Sequence, residues 1–230
     1  MRLVGWVAIA GLLAPLVFAA WVSFSPDSFL TPPAGEWSTR WYVAFASDRR
    51  WVAALGRSLL VGAFAAVVAL AAGAMLPACV PPAVLGMGLL PLLFAAGLWG
   101  NPLGLVLAHG LLGLPVVFLL ARNHLDQTPP DLEAAARGLG AGPWQVAFRV
   151  TLPLLRPAIL AGAAAAFVIS LNEAMLTAFL ATPSTETLPA VVWPQLRYSA
   201  SPLVAVASGA STLAAIVGVW ATIRVVRRWG

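Results

Sequence analysis

The chain has 230 residues, 61% of them hydrophobic and 9% charged, with a mean hydropathy of +0.92. A soluble domain carries about 25% charged residues, so these proportions exclude an ordinary water-soluble fold and describe a chain dissolved in lipid. The net charge of +5 comes from arginines alone, since the sequence has no lysine; no basic stripe with interleaved aromatics accompanies it, which argues against nucleic acid as a partner. Cys79 is the only cysteine, which excludes a disulfide framework or a cysteine metal site within one chain.

A membrane-crossing helix needs about 20 mostly apolar residues. That criterion predicts an all-α polytopic membrane protein, a single transmembrane domain over 1–230, with six spans at 3–23, 57–76, 82–100, 102–121, 153–181 and 203–223. Arg2 before an apolar run and the cleavage-like Phe18-Ala19-Ala20 leave a signal peptide as the alternative for the first span. Against it, the run continues through Trp21, Val22 and Phe24. The segment 24–56 is predicted to be a loop. Its Arg40, Arg49 and Arg50 are offset by Asp27, Glu36 and Asp48. Its Trp37, Trp41, Tyr42, Phe45 and Trp51 suit the membrane–water interface. Trp99-Gly100-Asn101-Pro102 marks a turn between spans three and four.

The polar insert at 122–152 breaks this pattern. Pro129 and Pro130 suit a first helical turn, where a missing N–H costs nothing. Asp131 and Glu133 complement the positive end of the helix dipole. Ala134, Ala135 and Ala136 propagate the helix, and Gly138 and Gly140 end it. Pro143 starts a second short helix with Trp144, Val146, Ala147 and Phe148 on an apolar face, and Thr151-Leu152-Pro153 leads into the fifth span. Arginines place the insert in the cytoplasm. Arg2, Arg122, Arg137, Arg149, Arg156, Arg224, Arg227 and Arg228 all fall on one side of a six-span topology, with both termini.

The insert resembles the EAA loop of ABC importer permeases. The likeness lies in Glu133-Ala134-Ala135, in Gly140 seven positions after the glutamate, and in the closing LPLLRP. The acid stands one step earlier than in the family pattern, which turns a helical side chain by about 100°. The likeness extends over residues 20–225 and is nearest the spermidine/putrescine-type branch, through SLNEAMLTAFL (170–180), TPSTETLPAVVWPQLR (182–197) and SPLVAVAS (201–208). Between spans two and three, where the family commonly has a basic stretch, Pro77 to Pro82 is short and uncharged.

This resemblance implies a type I importer permease in the bacterial inner membrane, forming half of a translocation pathway. Its implied partners are a second homologous permease subunit, two ATP-binding subunits holding Mg-ATP, a periplasmic solute-binding protein and membrane lipid. It also implies that Glu133, Ala134, Ala135, Arg137, Gly138, Leu139, Gly140 and Ala141 form the docking surface for the ATP-binding subunit. The implied solute is a polyamine such as spermidine or putrescine, the alternatives being an aminophosphonate, ferric iron or thiamine.

Read for chemistry, the sequence has no G-x-x-x-x-G-K-[ST] motif, no nucleophile beside a base and no metal cluster, so catalysis and cofactor binding are not expected of this chain. Glu173 is the one acid inside an apolar run. Such a residue faces other helices or a water-filled cavity, so with Asn172 it is either an anionic lining for a cationic solute or a packing hydrogen bond. His109 reads as a packing or hydrogen-bonding imidazole, and His124 as part of a solvated helix end. An ion-coupled secondary carrier using Glu173, or an intramembrane enzyme, are the readings from other classes.

Overall fold

The computed structural model describes residues 14–15, 17–29, 31–33, 35–72, 81–129, 131–198 and 201–229. Within them lie α1 (Arg40–Ser47), α2 (Arg49–Ala72), α3 (Pro82–Ala95), α4 (Pro102–Asp126), α5 (Asp131–Gly138) and α6 (Pro143–Val146). A π-helical segment, Ala147–Thr151, joins α6 to α7 (Leu152–Asn172); α8 (Met175–Leu180), α9 (Leu188–Tyr198) and α10 (Pro202–Trp229) complete the order. No strand occurs among the described residues. The all-helical expectation is met.

The count of six spans is not confirmed among the described residues. Among the described residues, four stretches are long and apolar enough to cross a bilayer: Arg49–Leu70, Pro102–Asp126, Pro143–Asn172 and Pro202–Arg227. Most of the expected first span (3–23) lies outside the described residues. The expected third span (82–100) is α3, a helix of 14 residues. At 1.5 Å per residue it covers about 21 Å, short of a hydrocarbon core of about 30 Å. Hydropathy carried the expectation too far because Leu98 and Trp99 are apolar, whereas Gly97 (φ 68°) and Gly100 (φ 70°) adopt a left-handed backbone that ends the helix.

Two other boundaries move for identifiable reasons. The second span starts at Arg49, not 57, because Asp48 Oδ1 accepts the Arg50 backbone N–H at 2.8 Å and caps the helix about two turns inside the expected loop. The fifth span (153–181) is interrupted after Asn172, where Glu173 is extended (φ −87°, ψ 112°), and resumes as the short α8. By contrast, α4 begins where the turn signal put it. Asn101 Oδ1 accepts the Leu103 N–H at 2.9 Å, and Pro102 fills a position that needs no donor.

The bundle is organised around α2, α4 and α7, which pack on one another; α10 lies against α7 and α3 against α8. Small residues make that possible, since helices in lipid gain most from close backbone approach. Ala66 and Ala69 of α2, Val117 of α4 and Ala166 of α7 form one buried cluster. A Cβ on Gly113 of α4 would sit 2.7 Å from the Ala166 Cβ. A second cluster joins Phe45, Trp51, Ala54, Leu188, Val191, Val206 and Ala207. The aromatic set expected along the membrane interface is therefore divided. Phe45 and Trp51 are buried, while Trp37 and Tyr42 flank Phe24, with ring centroids 5.6 and 5.2 Å from it.

Because α4 and α7 run in opposite directions, both ends of the polar insert fall at one end of the bundle. The start of α2, the start of α4 and the end of α7 fall at the other, hereafter the far end. Replacing Gly113 by Leu forces a side chain between α4 and α7, and overpacking of this kind costs about 1–3 kcal/mol. The expected outcome is a lower melting temperature of the detergent-purified protein, read by tryptophan fluorescence.

Candidate functional site

The insert is a helical hairpin. Asp131 and Glu133 occupy the first turn of α5 and Arg137 its last, so the dipole is complemented at both ends. The turn closes at Gly140, whose φ of +87° is left-handed. Gly140 N–H bonds the Arg137 carbonyl at 2.9 Å and Ala141 N–H the Ala136 carbonyl at 3.1 Å, the paired pattern of a glycine C-cap. The return begins at Pro143, and the Gln145 side chain accepts the Gly142 N–H at 3.0 Å. Ala134, Ala135, Arg137, Gly138, Leu139 and Gly140 are exposed, Glu133 and Ala141 half-buried. Leu139 is 90%, Trp144 75% and Phe148 61% accessible. The two aromatic rings stack one helical turn apart, 6.1 Å between centroids.

The short helix expected to start at Pro143 is present as α6, but it runs on without a break into the fifth span. From Pro143 to Asn172 the chain is one helical rod of 30 residues, with the π turn at Ala147–Thr151 in place of a break. Pro153 accounts for this turn. It has no N–H to bond the Arg149 carbonyl and its ring crowds that carbonyl, so the ladder widens and Leu152 N–H bonds Ala147 instead. Two side chains tie the rod to the preceding elements. Thr151 Oγ1 donates to Glu133 Oε1 at 2.6 Å. His124 Nε2 lies 2.9 Å from the Leu154 carbonyl, so His124 joins α4 to α7 instead of ending α4 in solvent. Glu133 also faces Arg137 at 3.5 Å.

Glu173 and Asn172 stand at the far end. Asn172 Nδ2 donates to the Val168 carbonyl at 2.8 Å, and Glu173 Oε1 accepts the Leu176 N–H at 2.8 Å. These polar groups offer the backbone an alternative to the helical ladder, which is why the span parts here. The Glu173 side chain is half-buried. Behind the break, His109 is buried, its Nδ1 2.8 Å from Ser170 Oγ and its Nε2 3.0 Å from Thr177 Oγ1. Thr187 Oγ1 reaches Thr177 at 3.3 Å. One imidazole thus pins α4, α7 and α8 around the break.

Sequence reasoning missed a clasp at the same end. Arg50 pairs with Glu186 at 2.9 Å, Arg57 Nε donates to the Glu186 carbonyl at 2.6 Å, and Leu188 N–H donates to Ser58 Oγ at 2.7 Å. Together they hold the 181–187 loop on α2. The available signal was Arg57 itself, a cation within an apolar run, where an ionised side chain needs a partner.

The helical bundle with a polar helical hairpin between two of its long helices is that of a polytopic membrane protein. The family model described as the binding-protein-dependent transport system inner membrane component matches residues 58–229. The chain is 30% identical over 219 residues to the putrescine transport system permease protein PotI of Escherichia coli (strain K12), covering 83% of this chain and 78% of that one. It is 36% identical over 134 residues to the molybdenum transport system permease protein ModB of the same strain, covering 51% of this chain and 58% of that one. Identity to its spermidine/putrescine transport system permease protein PotC is 24% over 214 residues, with 84% and 81% covered. The fold matches a chain of a bacterial ABC transporter involved in the import of the acidic polysaccharide alginate, with a TM-score of 0.65 at 16% identity, covering 99% of this chain and 94% of that one. The chain belongs to the family of inner-membrane components of binding-protein-dependent transport systems, and it is a permease subunit of an ABC importer.

Truncating His109 to Ala takes the imidazole partner from the buried Ser170 hydroxyl and leaves Thr177 only its long contacts to Thr187 and the Glu173 carbonyl, and an unmet buried polar group costs about 1–3 kcal/mol. The expected outcome is a lower melting temperature for His109→Ala, partly restored in His109→Gln, in purified protein.

Proposed function

We propose that this permease forms half of an ATP-driven import pathway for a polyamine such as putrescine or spermidine, and that its hairpin is the surface on which an ATP-binding subunit docks. The observation that carries the docking reading is the exposure of Leu139 at the tip of a polar hairpin and of Trp144 and Phe148 along its return. Apolar side chains grouped in this way outside the spans mark surfaces that bind a partner. Ala134, Ala135, Gly138, Leu139, Gly140 and Ala141 supply the contact surface and Arg137 a flanking charge. Small residues suit it, since they let a partner approach the backbone closely.

The remaining partners are a second permease subunit, two ATP-binding subunits that carry Mg-ATP and hydrolyse it, and a periplasmic solute-binding protein. This chain itself takes no part in the hydrolysis. The hairpin and both termini face the cytoplasm. Support comes from the arginines at the hairpin end, namely Arg122, Arg137, Arg149, Arg156, Arg224 and Arg227, which follow the positive-inside tendency. Closure of the ATP-binding subunits displaces the hairpin, and the rod from Pro143 to Asn172 carries that displacement to the far end. Alternating access of this kind needs two discrete arrangements of packed helices, with ATP biasing one.

For the solute, the half-buried carboxylate of Glu173 beside Asn172 supports a cationic cargo. The likeness to PotI and PotC points the same way. The likeness to ModB over about half of this chain favours molybdenum as a second reading. A carboxylate on the pathway favours a cation over an anion by charge alone.

Leu139→Asp places a charge in the docking surface and is expected to abolish co-purification of the ATP-binding subunit while leaving membrane insertion intact; retention of that subunit would remove the docking assignment. In proteoliposomes containing the whole transporter, Glu173→Gln is expected to lower putrescine uptake roughly tenfold, the loss of one charge-assisted contact. Uptake of molybdate in place of putrescine by the unaltered transporter would overturn the polyamine reading, and uptake of any solute without ATP would overturn the whole proposal.

A further inference from the structure

We propose that Glu133 is a positioning residue, turned inward to lock α5 onto the base of the long helical rod, and not a contact offered to the ATP-binding subunit. The proposal deepens the docking reading and rests on it for its functional consequence, though not for its geometry. Both carboxylate oxygens of Glu133 are engaged within the chain. Oε1 accepts the Thr151 hydroxyl at 2.6 Å, and Oε2 faces the Arg137 guanidinium at 3.5 Å. The first contact is short, as charge-assisted O–H···O bonds are, and joins residues 18 apart in sequence. The second is a long, exposed pair one helical turn apart, of a kind that contributes little. The working contact is therefore the one to Thr151.

Thr151 is in reach because of the π turn. An extra residue in the ladder rotates every side chain beyond it by about 100° relative to the turns before. The segment Ala147–Thr151 supplies that rotation, and Thr151 is its last residue. The hairpin is then closed at its tip by the Gly140 cap and at its base by Glu133 and Thr151. A hairpin fastened at one end only could pivot about Gly140 and absorb a push. Fastened at both, it moves as one body with the rod.

The test uses the complete transporter, with Thr151→Val to delete the hydroxyl at nearly constant shape, Thr151→Ser to restore it, and Glu133→Gln to remove the charge while keeping an oxygen that accepts from Thr151. Hydrogen–deuterium exchange of the amides of residues 131–139, read in the permease alone, should rise in Thr151→Val and return to the unaltered level in Thr151→Ser. In the assembled transporter, Thr151→Val should retain its ATP-binding subunit and basal ATPase rate, while solute imported per ATP falls about fivefold, the scale of one charge-assisted hydrogen bond at a partly exposed site. Glu133→Gln should lose about twofold of that ratio, less than Thr151→Val, since the amide oxygen still accepts from Thr151 but without the charge. A double variant, Glu133→Ala with Thr151→Val, should be no worse than the poorer single one, since both remove the same contact.

Loss of the ATP-binding subunit in Glu133→Gln with no effect of Thr151→Val would overturn the proposal and make Glu133 a partner contact. Unchanged exchange at residues 131–139 in Thr151→Val would overturn it whatever the transport result. Failure of the unaltered permease to retain an ATP-binding subunit would instead sink the docking reading, with the exchange measurement still deciding whether the brace exists.

Discussion

In hydrocarbon no water stands ready to bond a freed amide or carbonyl, so each departure from the helical ladder must be repaired by the protein itself. This protein departs from the ladder at a few defined places and repairs each with a particular residue. At Pro153 the ladder widens into a π turn, and Leu152 finds the Ala147 carbonyl. At Glu173 the fifth span parts, and the carboxylate takes up the Leu176 amide. At Asn101 the side chain takes up the Leu103 amide before α4 begins. These three repairs fix where rods begin, widen and end, and the residues of functional interest cluster around two of them.

Between those points the packing is plain. The α2, α4 and α7 triad is held by alanines and a glycine that bring backbones close, and lipid supplies no competing hydrophobic drive. Polar contacts are kept for the ends. His109 gathers Ser170 and Thr177 behind the Glu173 break, Arg50 and Arg57 hold Glu186, and at the opposite end His124 meets the Leu154 carbonyl. The middle of the bundle is therefore apolar and closely packed, and its specific polar fastenings lie at the two ends.

Much of this was legible in the sequence. Composition fixed lipid as the solvent, and the run from Pro129 to Gly140 announced a capped helix in the place where α5 lies. The start of α4 followed from Asn101-Pro102. Other features were hidden for physical reasons. Hydropathy cannot see that Gly97 and Gly100 take positive φ, so α3 was read as a full span. Nor can it see that Asp48 caps a helix beginning at Arg49, because arginines and an acid look like loop. The continuity from Pro143 to Asn172 was obscured by Pro153, which in the hairpin's return widens the helix and does not end it. The Thr151–Glu133 contact joins two segments whose spacing depends on that widening, so no local pattern could announce it. The clasp on Glu186 depends on tertiary proximity across more than a hundred positions, although Arg57 in an apolar run was a visible demand for a partner.

The uninterrupted course of the backbone from Pro143 to Asn172 has a geometric corollary. Thirty residues at 1.5 Å each form a strut about 45 Å long, longer than the hydrocarbon layer is thick. Its blunt foot, carrying Trp144 and Phe148, protrudes on one side while its head ends beside Glu173 on the other. Between foot and head the ladder is weakened twice, at the widened turn Ala147–Thr151 and at Pro157, which has no N–H for the Pro153 carbonyl, so any bending of the strut concentrates in its lower half.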